Sequence, residues 1–282
     1  MKLSVAIADT NAAANAFVVW RGFEESIVKA KEYGYHGVEL ALRKANEINV
    51  SRLSKMLEQN NMEVSAISTG QVFASLNQYL TNPDETQRLE AVKTITDLAI
   101  LSKDFGKMVN IGRARGFYAD DVEPSVIEDL FIDSLKRIVE VAAKHDVVVV
   151  IEPVNRYEIN FINNVEQCAQ LLDRVDFYRK NIGIMPDVFH MNIEDAHIGE
   201  SLEKHADLIR YIHLADSNRY APGNGHLDFD EVFSSLLKMK YNDWVSVEIL
   251  PQPTPDIAAL KAAEYLLPRI AEHNRKIKEL ID

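Results

Sequence analysis

Eight short runs of apolar residues divide this sequence at regular intervals. Segments with the period of amphipathic helices separate the runs, an alternation typical of parallel strands joined by crossover helices. Eight such units in 282 residues predict an α/β fold, a single (β/α)8 TIM barrel over residues 1–282, whereas open doubly wound sheets more often use fewer strands. The predicted strands are residues 3–8, 37–42, 64–68, 108–111, 147–151, 182–185, 209–214 and 245–250.

Helix-start signals support the same alternation. Asn82-Pro83-Asp84 predicts a cap and a first-turn proline for a helix over residues 83–105, and Thr254-Pro255-Asp256 repeats this device. A further helix is expected over residues 124–144.

Composition and charge exclude several classes of partner. The formal net charge of −12 argues against a nucleic-acid surface and against anionic membranes. Cys168 is the single cysteine, so the chain forms no internal disulfide and no cysteine-rich zinc site. No secretory signal pattern, no membrane-length apolar stretch and no Gly-x-Gly-x-x-Gly loop are found, and we expect a cytoplasmic protein without a nucleotide cofactor.

Polar residues close the last four apolar runs, at the strand ends where such barrels carry their active sites. These residues are Glu152, Asp187, His213 and Glu248. Three carboxylates in one mouth would raise one another's pKa, whereas a divalent cation would stabilise the ionised cluster. We therefore predict a metal site, although loop caps and salt bridges are an alternative role for each residue. The oxygen-rich donor set favours Mn²⁺, suits Co²⁺ or Mg²⁺, and is compatible with Zn²⁺.

Two further polar residues have roles that the sequence leaves open. Glu39, inside the second run, either points into the barrel near the site or belongs to an ordinary barrel layer. His226, in the loop after the seventh run, either lines the mouth or is solvated.

Four motifs resemble the ketose 3-epimerases of the xylose-isomerase-like barrel superfamily, most nearly the tagatose, psicose and keto-gluconate branch. They are residues 152–158 (EPVNRYE), 187–192 (DVFHMN), 213–225 (HLADSNRYAPGNG) and 247–248 (VE). The resemblance implies a metal held by Glu152, Asp187, His213 and Glu248, and homodimers or homotetramers. It also implies that Glu158, His190 and Arg219 contact oxygens of a sugar or sugar-acid substrate.

One departure from the family pattern affects the sixth strand. Met185-Pro186 precedes Asp187, where a non-proline apolar residue is expected, and Val188 replaces the usual threonine. Since proline removes a ladder donor, the direction of the Asp187 side chain depends on how the sixth strand accommodates Pro186.

The predicted reaction inverts C3 of a ketose or keto-sugar acid through an enediolate. The metal would act as Lewis acid and template, and Glu152 and Glu248 would carry protons on opposite faces of the substrate. His190 and Arg219 would orient the hydroxyl groups beside the reacting carbon.

The loop after the fourth strand contains two arginines, Arg113 and Arg115. Both are predicted to approach the mouth and bind substrate, which would favour a carboxylate or phosphate. The alternative is that they are solvated and pair with Asp120 and Asp121.

Other reactions are compatible with the same scaffold. They are sugar-phosphate isomerisation or epimerisation, a keto-polyol dehydratase (lyase) reaction and, more remotely, abasic-site endonuclease-like hydrolysis. The nuclease would need more histidines in its metal site and a basic DNA groove, which the charge of −12 disfavours. A non-catalytic sugar-binding barrel would not need two glutamates opposed across a metal.

Overall fold

In the computed structural model, which describes residues 1–14 and 16–281, eight parallel strands follow one another around a ring. Their neighbour order is β6-β5-β4-β3-β2-β1-β8-β7, and a two-residue strand, Trp20–Arg21, pairs with the end of β1. The strands are β1 (Lys2–Ala8), β2 (Gly37–Ala41), β3 (Glu63–Ser68), β4 (Met108–Ile111), β5 (Val148–Ile151), β6 (Ile182–Ile184), β7 (Ile212–Leu214) and β8 (Trp244–Val247). Each predicted run overlaps one of these strands, and the predicted (β/α)8 class is confirmed.

The ring closes between β6 and β7 through two isolated parallel bridges. These bridges join Ile184 to Ile209 and Asp187 to His213. The backbone N–H of His213 donates to the Pro186 carbonyl at 2.9 Å. Pro186 therefore contributes a hydrogen-bond acceptor here, and the N–H that proline lacks is not needed for this contact. The closure therefore brings two of the predicted metal ligands side by side.

Helices cover the outside of the ring. They are α1 (Phe23–Glu32), α2 (Val50–Asn60), α3 (Gly70–Leu76), α4 (Glu85–Ser102), α5 (Pro124–Ala143), α6 (Val165–Asp173), α7 (Val188–Glu194), α8 (Ile198–Lys204), α9 (Phe229–Lys238) and α10 (Pro255–Ile281). Among the described residues, none of the helices has the length and apolar composition of a membrane span.

The predicted helix starts are confirmed at α10 and corrected at α4. Thr254 Oγ1 accepts from the Ile257 N–H at 3.3 Å, and Pro255 is the first residue of α10. At α4 the cap is Asp84, which accepts from the Gln87 N–H, whereas Pro83 lies before the helix. The reason is that the Asn82 side chain instead accepts from the Asp84 N–H and forms a turn there.

Alternating strand residues separate the core into two parts. Ile67, Val109 and Val149 belong to the large buried cluster between strands and helices. A second, smaller cluster, formed by the residues of opposite parity, lies inside the ring: Ala66, Met108, Val150, Met185 and Tyr211. Side chains thus fill the interior of the ring, and the predicted metal site lies above them, at the carboxyl ends of the strands.

Candidate metal centre and active site

The four residues predicted as metal ligands meet at the carboxyl end of the barrel. One donor atom from each of Glu152, Asp187, His213 and Glu248 lies within 4.8 Å of the other three. His213 Nδ1 is 3.6 Å from Glu152 Oε1 and 3.9 Å from Glu248 Oε2. All four side chains are buried or nearly so, which leaves their charges little solvent to stabilise them.

Two of the atoms that could bind a metal have no hydrogen-bond partner within the described part of the chain. Asp187 Oδ1 caps α7 by accepting from the Phe189 N–H at 2.9 Å, whereas Asp187 Oδ2 and His213 Nδ1 are buried and unpaired. An unpaired buried polar atom is costly unless something else contacts it. Three carboxylates and one imidazole with free lone pairs fit a divalent cation of the Mn²⁺, Co²⁺ or Mg²⁺ type.

The surroundings of the carboxylates drive their pKa values apart. Burial raises the pKa of Glu248 to about 8 against the opposing charges of His213 and Arg219. Burial also raises the pKa of Asp187 to about 6. Burial would raise the pKa of Glu152 too, but the hydrogen bond and charge of His213 lower it to about 2. A bound cation would favour the ionised form of all three carboxyl groups.

The second nitrogen of His213 contacts a residue from the far side of the barrel. His213 Nε2 lies 2.8 Å from Glu39 Oε2, which also accepts from the Tyr211 hydroxyl at 2.9 Å. Burial opposes a charge on His213, but the Glu39 charge and the bonds to Glu152 and Glu39 raise its pKa well above the ordinary value, so a cation bound at Nδ1 would replace a proton there. Of the two roles left open for Glu39, the structure supports the one inside the barrel near the site.

Glu152 is held by two residues that sequence reasoning missed. Asn110 Nδ2 donates to Glu152 Oε2 at 3.0 Å, and Asn110 is the one polar residue of β4. A Cβ atom at Gly112 would lie 2.6 Å from the same oxygen, so a larger residue there would displace the Glu152 carboxylate from this position. A polar residue within an apolar run was the available signal for Asn110.

Glu158, His190 and Arg219 lie around the mouth, next to the four-donor group. Arg219 donates to Glu158 Oε1 at 2.6 Å and to Glu248 Oε2 at 2.8 Å. Its guanidinium also stacks 3.5 Å from the Phe17 ring centroid and 4.9 Å from that of Phe189. Phe17, from the loop after β1, is a further residue that the sequence pattern did not identify.

His190 has a defined orientation in this mouth. Its Nδ1 lies 2.7 Å from Asn155 Nδ2, which can only donate, so Nδ1 accepts and the ring proton is on Nε2. Nε2 points between Asp187 Oδ2 and Glu152 Oε1, at 3.9 and 4.0 Å. Burial and the charge of Arg219 hold the pKa of His190 well below its ordinary value. A neutral His190 can therefore donate one hydrogen bond to a substrate oxygen.

The two arginines after β4 have different positions, and the prediction for Arg115 is corrected. Arg113 lines the mouth, 3.8 Å from Glu158 Oε2. Arg115 is fully buried and donates to the carbonyls of Gly112, Phe161 and Ile162, so its guanidinium is used inside the protein and does not reach the mouth. Neither arginine pairs with Asp120 or Asp121 among the described contacts.

His226 does not line the mouth. Its side chain is exposed, and Nδ1 lies 2.9 Å from Ser217 Oγ. The solvated role is the one that the structure supports.

Comparisons with known proteins show that the chain is similar to sugar epimerases. A family model described as xylose isomerase-like TIM barrel matches residues 27–268. The 3-dehydro-D-guloside 4-epimerase of Escherichia coli (strain K12) is 28% identical over 238 residues, 80% of this chain and 88% of that protein. The L-ribulose 3-epimerase of Mesorhizobium japonicum is 26% identical over 227 residues, 80% of this chain and 74% of that protein.

Solved structures show the same fold at lower sequence identity. A D-allulose 3-epimerase from Methylomonas sp. in complex with D-allulose has a TM-score of 0.81 at 21% identity, covering 95% of this chain and 97% of that one. The 3-keto-D-glucoside 4-epimerase from E. coli has a TM-score of 0.79 at 24% identity, covering 95% and 99%. These structural likenesses concern the fold.

Proposed function

The chain belongs to the xylose isomerase-like TIM barrel family, and from this premise we propose that it is a divalent-metal-dependent epimerase inverting C3 of a ketose or keto-sugar acid. The observation that carries the proposal is the pair of glutamates, Glu152 and Glu248, within 4 Å of one imidazole nitrogen at the strand ends. The relatives named above are a 3-dehydro-D-guloside 4-epimerase and an L-ribulose 3-epimerase. Both glutamates can therefore serve one reacting carbon.

The two glutamates are assigned to proton transfer on opposite faces of the substrate. The cation, when bound by Glu152, Asp187, His213 and Glu248, would supply Lewis-acid stabilisation of the negative charge that develops on the sugar oxygens. Ionised Glu152 removes the proton from the carbon beside the carbonyl. In this assignment Glu248 begins the cycle protonated and donates its proton to the other face, and the reverse reaction begins with the protonation states of the two glutamates exchanged.

The mouth residues are assigned to orientation of the substrate. Arg219 already contacts Glu248 and Glu158, so a sugar hydroxyl that replaces one of these contacts would be held next to the proton carrier. His190 donates from Nε2 beside Glu152, and Glu158 accepts hydroxyl protons. These three contacts would fix which face of the reacting carbon each glutamate meets.

Arg113 is the reason that the proposal includes a substrate with a carboxylate group. It is a cation of the mouth whose distance to Glu158, 3.8 Å, is longer than a hydrogen bond. We expect kcat/KM to be higher for a keto-hexonate than for a neutral ketohexose if Arg113 binds the acid group. A wide preference for the neutral sugar would show that Arg113 only balances the charge of Glu158.

Inversion at C4 of a 3-keto sugar is a second candidate, because the relative matched at 28% identity is a 4-epimerase. The same proton transfer on either side of the carbonyl would serve both reactions. Dehydration and aldose–ketose isomerisation begin alike and differ in product. The abasic-site nuclease finds less support, since the described residues hold one group of three or more His, Cys, Asp or Glu side chains able to share a metal ion.

The test is hydrogen exchange in D₂O. Ketoses, keto-sugar acids, ketose phosphates and 3-keto-glycosides are incubated with the protein and Mn²⁺, with EDTA-treated protein as control, and deuterium is located by NMR. Deuterium at C3 of a ketose together with the epimeric product supports the proposal. Exchange at C4 supports the second candidate, exchange at C1 indicates isomerisation, and no exchange in any substrate contradicts epimerase activity. Light scattering would test the expected homodimer or homotetramer.

A further inference from the structure

A buried carboxylate reaches across the barrel to the proposed metal centre. Glu39 lies on β2 and contacts His213 on β7, 174 residues away along the chain. Both side chains are fully buried. The contact joins strands that are not neighbours in the sheet, so it runs through the interior of the ring.

The hydrogen bonds around Glu39 determine which nitrogen of His213 is available to bind a cation. Glu39 Oε2 accepts the Tyr211 hydroxyl proton, and a carboxylate oxygen facing His213 Nε2 at 2.8 Å accepts there as well. The Nε2 nitrogen therefore carries hydrogen. Nδ1, which is unpaired and faces Glu152 and Glu248, is left to offer its lone pair to a cation.

Stability alone gives no reason for a carboxylate at this position. Transfer of a carboxylate from water to the interior is costly, and Glu39 Oε1 has no partner in the described part of the chain. The Tyr211 hydroxyl does not depend on Glu39, because it also contacts Ser65 Oγ at 2.6 Å and Ser4 Oγ at 3.1 Å. The contact that Glu39 alone supplies is the one to His213.

We propose that Glu39 is a positioning residue that fixes the ring orientation and tautomer of His213 and thereby raises the affinity of the centre for a divalent cation. A metal-ligating histidine commonly donates its other ring N–H to such a partner, and loss of the partner weakens metal binding. The inference depends on the proposed function only in requiring a cation at His213. It does not make Glu39 a ligand or a proton carrier.

The test compares two substitutions of similar size. Glu39→Met removes the acceptor, and we expect it to weaken Mn²⁺ binding, measured by calorimetry on EDTA-treated protein, by about 10- to 100-fold. Glu39→Gln keeps an acceptor oxygen for the Nε2 hydrogen, and its affinity should stay close to that of the wild type. The absorption spectrum of the Co²⁺-loaded protein should change in Glu39→Met and not in Glu39→Gln.

Ser65→Ala is the packing control, since it alters the same interior layer without touching His213. It should bind Mn²⁺ as the wild type does, and metal-free Glu39→Met should melt no lower than the metal-free wild type. Wild-type affinity in Glu39→Met overturns the inference, and so does an equal loss in Glu39→Gln and Glu39→Met. If the wild type itself binds no divalent cation, the proposed function fails as well, which separates the two outcomes.

Discussion

Glu152 and Glu248 approach the same imidazole but differ in their surroundings. Glu152 accepts from Asn110 and lies beside His213, whereas Glu248 is buried and bonded to Arg219. Because each is assigned a proton transfer, we expect Glu152→Gln and Glu248→Gln each to reduce kcat by at least about 10²- to 10⁴-fold. Turnover is measured with saturating Mn²⁺, and circular dichroism checks the fold. Near-normal turnover in either variant would refute the assignment.

Glu158 lies six residues after Glu152 and is predicted to act differently. It accepts from Arg219 and does not belong to the four-donor group. Glu158→Gln should therefore raise KM for the sugar while leaving Mn²⁺ affinity unchanged, because only a substrate contact is weakened. Steady-state kinetics and calorimetry separate the two effects. Equal losses of metal affinity in Glu158→Gln and Glu152→Gln would show that the division of roles is wrong.

At the scale of elements, the turn after β4 holds one arginine in the mouth and buries the next. A short 3₁₀ helix, Arg113–Arg115, ends at Gly116, which has a φ of 100°. A Cβ atom there would overlap Thr81 Oγ1, which accepts from the Phe117 N–H. Glycine is thus required both for the backbone conformation and for the contact with Thr81.

Gly116→Ala should lower the free energy of unfolding by at least about 1–3 kcal/mol, from backbone strain and the clash with Thr81. Gly70→Ala is the matched control: Gly70 begins α3, and an added Cβ would meet no atom within 4 Å. Urea denaturation of both variants measures the difference. Equal stability of the two variants would contradict the role given to Gly116.

At the scale of the whole molecule, a cation bound to four strands should stabilise the barrel. The four residues proposed to bind it lie in or directly after β5, β6, β7 and β8, and they include the pair that closes the ring. A ligand that binds only the folded state at 100 times its Kd adds about 2.7 kcal/mol. We therefore expect Mn²⁺ to raise the Tm of EDTA-treated protein by several degrees, in a manner that depends on concentration.

Asp187→Asn supplies the control for this measurement. An asparagine oxygen can still accept from the Phe189 N–H and cap α7, but the free Oδ2 is then replaced by an amide NH2 group, which does not ligate a cation. The metal-free variant should melt near the metal-free wild type, and the Mn²⁺-dependent rise in Tm should be largely lost. A full rise in Asp187→Asn would exclude Asp187 from the centre.

The sequence by itself determined the barrel and the residues at its strand ends. Runs of four to eight apolar residues define buried strands, and parallel connection brings their carboxyl ends to one mouth whatever the details of packing. For this reason Glu152, Asp187, His213 and Glu248 could be recognised from local patterns. The effect of Pro186 could not be judged in this way, because only ring closure shows that its carbonyl is the group in use.

Contacts between distant segments were decided only by the tertiary structure. Arg113 and Arg115 stand two residues apart in the same turn, yet Arg113 lines the mouth, whereas Arg115 donates to the Gly112 carbonyl and to two carbonyls of a loop 46 and 47 residues later. Glu39 likewise acquires a defined role only through His213, across the barrel. The physical reason is that burial and hydrogen-bond partners depend on which segments pack together. The hydrophobic period of a segment predicts its secondary structure but not which segments it contacts.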